Sequence, residues 1–207
     1  MLYAQLDFIN KRMYGKPQSL PSEWRDGSGA VITKFNQFSN AALAFFGWLP
    51  VEKEDIMEGY KLSTDATYDE ENARFIYKAV PVDLSVLMAD SEVAIDNAAS
   101  QACERYISTG VGQDMRYLAK YGQAAEYTAQ EAPSEEDYPM LSIEAETCGM
   151  TVAEKAAEII AVYDQWTALA GQVEALRIGG KKAIRAMGNV DDVVAKRDEI
   201  IAALGVL

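Results

Sequence analysis

The chain contains no histidine. That removes the commonest general base and the commonest transition-metal ligand together. Cysteine is scarce: Cys103 and Cys148 stand far apart in helix-like surroundings. Without clustered partner ligands they make no zinc site, and they read as small buried or half-buried residues. A disulfide between them has no support in their spacing. Basic residues are also few, 19 against 32 acidic, for a net charge of -13. So acidic a surface repels phosphate backbones, which excludes nucleic acid and anionic membrane as expected partners. No run approaches the roughly 20 apolar residues of a membrane span. The opening "MLYAQLDFINKRMYG" lacks the features of a signal peptide, so the expected location is cytoplasm. No G-x-S-x-G element is present, and a Cys–His pair is impossible. The acidic groups Glu52/Glu54/Asp55, Asp69/Glu70/Glu71 and Glu135/Glu136/Asp137 do not follow a calcium-loop pattern and read as solvated turns. The expectation is a protein with no catalytic residues, no metal and no cofactor.

Apolar residues make up 49% of the chain and charged residues 25%, which allows a real core. The text changes character near Asp90. Before it lie most of the prolines, two of the three tryptophans, and mixed strand and turn signals. After it the sequence is Ala/Glu-rich and helical. The expected fold class is α+β. A small antiparallel β unit with one short helix, residues 1–89, precedes a mainly helical bundle, residues 90–207, that contains one long coiled-coil-like helix.

In the first part "LYAQLD" alternates and suggests an edge strand. Residues 15–29, "GKPQSLPSEWRDGSG", read as irregular loop. "AVITKF" (30–35) suggests a second strand. Ser39 is a fair N-cap for a two-turn helix, and Gly47 suits the C′ position. Two more strands are expected around the turn Asp69–Asn72, with Phe75, Tyr77 and Ala79 on one face. The aromatic group Phe45, Phe46, Trp48 and Tyr60 is either a small core or a recognition surface.

In the second part the pattern predicts helices over 90–109 and 112–131, joined by a Gly110-Val111-Gly112 turn. A Pro/acidic linker follows over 132–137, then a short helix stopped by Gly149. Thr151 and Glu154 form a capping box that starts the long helix, and Asn189 caps the last one. From Thr151 to Met187 apolar residues recur at heptad spacing, including Val162, Trp166, Leu169, Val173 and Leu176. Unbroken, that helix is about 55 Å long at 1.5 Å per residue. Its stripe packs either on the folded-back last helix or on another polypeptide, and a homo-oligomer is expected. "RIGGKKAIR" (177–185) lacks phosphate-loop spacing and reads as a kink or hairpin corner. "STGVGQD" (108–114) reads as a helix–helix turn, with an anion site as the alternative.

The stretches "NAALAFFGWLPVEKED" and "YKLS…ARFIYKAV" resemble a small module of tailed-bacteriophage proteins encoded near tail fibres. "YPMLSIEAETCGMTVAEKAAEIIAVYDQWTALAGQVEALRIGGKKAI" resembles the helical tail of phage tail-fibre accessory and assembly proteins. The resemblance covers about two thirds of the chain. It implies a non-catalytic protein that binds a tail-fibre or other tail structural protein, in the host cytoplasm during assembly or in the virion tail. Docking is expected through Phe45 and Trp48, and helical contacts through Val162, Trp166, Leu169, Val173 and Leu176.

Overall fold

The computed structural model describes residues 1–106 and 113–207. The chain is α+β and divides into two compact units, Met1–Leu87 and Met88–Leu207.

The first unit is built on a five-stranded sheet of β1 (Leu2–Asp7), β2 (Arg12–Gln18), β5 (Trp48–Lys53), β7 (Thr67–Asp69) and β8 (Arg74–Tyr77). Its strand order is β2-β1-β5-β8-β7. Strand β1 therefore lies inside the sheet, not at its edge. Two further two-stranded ribbons pair β3 (Glu23–Arg25) with β4 (Val31–Thr33) and β6 (Tyr60–Leu62) with β9 (Ala79–Pro81). The stretch 15–29 is thus not plain loop, since it holds the end of β2 and all of β3. The glycine and proline that suggested a loop form a bulge instead. The β1–β2 register shifts between Tyr3 and Gln5, and Gly15 takes φ +75° there.

All ladders are antiparallel except β5–β8. That pair begins at Val51, one residue beyond Pro50, which has no N–H to give a ladder. The two ends of the sheet, β2 and β7, approach each other. Beside that approach Lys11 Nζ donates to Glu70 Oε1 at 2.7 Å, an exposed pair.

Alternation along the strands sends side chains to both faces. Ala4, Leu6, Leu49 and Phe75 fill one face. Phe35, Leu43 and Trp48 fill the other, beneath the helix α1 (Asn40–Phe45). Helix α1 starts where Ser39 Oγ accepts from Ala42 N at 3.3 Å. It stops at Gly47, which takes the left-handed φ of +76°. An added Cβ on Gly47 would stand 2.8 Å from the Phe8 ring.

Helix α2 (Leu84–Glu104) begins earlier than the 90–109 expected. Asp83 Oδ1 accepts from Ser85 N and Val86 N and caps it. The Gly110–Gly112 turn lies outside the described residues. The second unit continues with α3 (Gln113–Thr128), α4 (Pro139–Cys148), α5 (Val152–Arg185) and α6 (Val190–Gly205). Gly149 closes α4 at φ +65°. Thr151 and Glu154 form the reciprocal capping box of α5, and Asn189 Oδ1 accepts from Asp192 N to start α6.

Helix α5 runs without a break through Gly179 and Gly180, so the chain turns no hairpin corner there. Gly180 has a packing reason. A Cβ there would stand 2.7 Å from Ile200 Cδ1 on α6. The last helix does fold back along the long one, and only a glycine lets it come that close.

Candidate functional site

The apolar stripe of α5 is covered at both ends by its own chain. Toward the N-terminus, Val152 and Ala156 join Ala124 of α3 and Tyr138, Leu141 and Ala145 in one buried cluster. Toward the C-terminus, Val173, Gly180 and Ile184 are buried. Three cations of that end are tied to α2. Arg177 Nη1 and Lys181 Nζ donate to Asp96 at 2.9 and 2.5 Å, and Arg185 donates to Glu92 at 2.6 Å. The Lys181 and Arg177 bonds hold the Asp96 carboxyl below the usual carboxylate range.

Between these ends the stripe opens. Val162 is 58% exposed and Trp166 37%. There α5 and α3 flank a groove of about 670 Å³, lined by Leu118, Tyr121, Val162, Tyr163 and Trp166. The Tyr121 and Tyr163 rings stack at 3.7 Å, 19° from parallel. Stacked rings of this kind form a stiff apolar wall at small entropic cost.

One end of the groove is charged. Lys120 pairs with Glu144. Lys155, only 6% exposed, reaches Glu144 at 3.4 Å and Glu158 at 3.3 Å. Burial alone pushes the Glu144 carboxyl up, but the Lys120 hydrogen bond and both lysine charges outweigh it and hold the group below its ordinary value. Burial pulls Lys155 down, and the Glu158 hydrogen bond with the Glu144 charge outweighs that and raises it. Lys155 thus stays protonated near neutrality and has no lone pair to offer a carbonyl. This arrangement can bind by apolar contact and orient by charge.

No family model, curated protein or solved structure matches this chain.

Of the residues singled out from the sequence, Val162 and Trp166 line the groove. Leu169 and Leu176 are half-buried along the same stripe. Val173 is 3% exposed, so its own chain encloses it and no partner reaches it. Phe45, in the first unit, is 84% exposed. Trp48 is corrected from a docking residue to a core residue. It is 3% exposed and meets Phe35 edge-on at 6.0 Å. The "RIGGKKAIR" segment lies inside α5, where helical bonds occupy its N–H groups, so it offers no phosphate cradle.

Leu118, Lys120, Tyr121, Glu144 and Lys155 escaped the sequence reading. The Tyr117–Tyr121 spacing of four, which puts both rings on one side of α3, was the available signal. Nothing in the sequence marked Lys155 as buried.

Proposed function

We propose that this chain is a non-catalytic tail-fibre accessory protein that seats a segment of a fibre polypeptide in the groove at the centre of α5. The single observation that carries the binding role is the opening of the α5 stripe. Val152 and Ile184, on the side of the helix that carries Trp166, are buried, while Val162 and Trp166 between them are exposed. An exposed tryptophan beside a stacked tyrosine pair is the residue type that dominates protein–protein contacts. The fibre as occupant follows from the resemblance of the α4–α5 text to phage fibre-assembly proteins. Phe45 at the end of α1 supplies a second exposed apolar contact.

Pull-down of co-expressed fibre protein tests the role. Trp166→Ala should lower recovery about tenfold or more, the usual loss at an aromatic hot spot. Circular dichroism should be unchanged, because the ring is not enclosed. Unchanged recovery with the variant removes the groove as the fibre site. Mass spectrometry of purified particles then separates an assembly factor, which is scarce there, from a virion subunit, which is stoichiometric.

A further inference from the structure

The side of α5 turned away from the groove has an unusual make-up for a solvent face. Ala157, Ala161, Ala168, Gly171, Ala175 and Gly179 are all exposed. Their spacings of four, seven, three, four and four return each to one side of a helix with 3.6 residues per turn. The outward positions of α6 show the ordinary pattern, with Asp191, Asp192, Asp198 and Glu199 exposed. On the α5 line only Asp164 and Lys182 carry charge, and both are exposed. Neither takes part in an ion pair among the described residues.

Among the described residues nothing packs on two glycines of this line. An added Cβ at Gly171 or Gly179 would meet nothing within 4 Å. Both lie in helical backbone, so no turn or positive φ requires them. Glycine inside a helix costs about 1 kcal/mol relative to alanine. Gly180 has Ile200 against it to account for that cost. For Gly171 the remaining account is a backbone that comes close from outside.

We infer that the outward face of α5 packs antiparallel on the same face of a second copy of this chain. The charges select that occupant. Asp164 and Lys182 lie about five helical turns apart on one line, with opposite sign. An antiparallel two-fold overlay that sets Asp164 of one copy opposite Lys182 of the other makes the same pair again by symmetry. That register also sets Gly171 opposite Ala175, twice, at the crossing point. Small residues there let the helix axes approach to about 8 Å, the short end of the usual range. A parallel overlay would instead align Asp164 with Asp164 and Lys182 with Lys182. A chain of net charge -13 otherwise repels its own copy, so the nearly neutral, self-complementary line is where a copy fits. The contact is separate from the groove and does not depend on the groove's occupant.

Sedimentation velocity of the full chain over a concentration series tests the arrangement. The wild type should pass from monomer to twice the monomer mass. Lys182→Asp places two like-charge pairs across the two-fold, and Asp164→Lys does the same. Each should weaken self-association about tenfold or more. The double exchange, Asp164→Lys with Lys182→Asp, should restore it. Gly171→Leu should abolish the dimer while far-UV circular dichroism stays helical, since the site is open in the monomer. Trp166→Ala should leave the dimer mass intact even if fibre recovery falls. A wild type that stays monomeric throughout overturns the proposal and leaves the face to some other occupant. So does a dimer indifferent to the single charge reversals, or a double exchange that fails to restore it.

Discussion

The adjacent glycines of α5 give a stability test in which one substitution controls for the other. Gly179→Ala and Gly180→Ala each gain about 1 kcal/mol of helix propensity. At Gly179 the new methyl enters open space. At Gly180 it would stand 2.7, 3.0 and 3.2 Å from Ile200 Cδ1, Cγ2 and Cγ1. The first contact is a flexible side-chain end, but the others lie close to the α6 backbone and yield less. Overpacking of this kind costs about 1–3 kcal/mol. The propensity gain is common to both variants, so their difference reads the overpacking alone. Gly179→Ala should be stabilised by up to about 1 kcal/mol, and Gly180→Ala should fall about 1–3 kcal/mol below it. Urea denaturation followed by far-UV circular dichroism, at concentrations low enough for monomer, measures both. Ile200→Val removes the tightest contact, so the Gly180→Ala/Ile200→Val pair should cost less than the sum of its members. Two alanine variants within about 0.5 kcal/mol of each other would show that α6 does not press on Gly180.

Trp48→Ala should destabilise the first unit by about 3–5 kcal/mol, whereas Phe45→Ala should stay within about 0.5 kcal/mol, both read by chemical denaturation. Thr151→Ala, which removes the side-chain acceptor of the α5 capping box, should cost about 0.5–2 kcal/mol in the same assay. Glu144 is held below the ordinary carboxylate value in the folded chain, so its contribution is present above that value and is lost as pH falls through the lowered one. Acid titration of unfolding free energy should therefore show a shallower decline for Glu144→Gln than for wild type below about pH 4.5, and identical slopes would refute the pairing. Lys155 runs the other way. Its raised value gives stability present at and below the ordinary lysine range and lost as pH rises through the raised one, which Lys155→Met should abolish in alkaline titration.

Local rules read well where they depend on neighbouring residues. Ser39, Gly47, Gly149, the Thr151–Glu154 box and Asn189 all cap helices as their types and spacing indicate. Reading failed where the answer depends on distant chain. The interior place of β1 follows from its pairing with β5, which no alternation pattern within "LYAQLD" contains. Gly15 and Pro17 signalled loop, yet they bend a strand. The hairpin corner expected at Gly179-Gly180 ignored Ile200, twenty residues away, whose approach gives Gly180 its role. Asp83, just before α2, is a cap of the residue type that neighbouring sequence does indicate. For the groove, heptad spacing found the stripe but not its uncovered part. Which stretch stays open depends on where α3 and α4 stop and where α6 begins to cover α5.

The bulge in β2 bears on how this chain behaves when crowded. Of the two outer strands of the five-stranded sheet, β7 is only three residues long, and β2 is bent where Gly15 and Pro17 stand. Neither presents an incoming strand with a straight row of N–H and C=O groups, and the Lys11–Glu70 bridge places charge at the rims. The first unit is thereby a poor template for cross-β growth, even though the sheet carries apolar side chains on both faces. Concentrated stocks of the protein should stay free of thioflavin-binding fibrils, and straightening β2 by Gly15→Val with Pro17→Thr should make such fibrils appear.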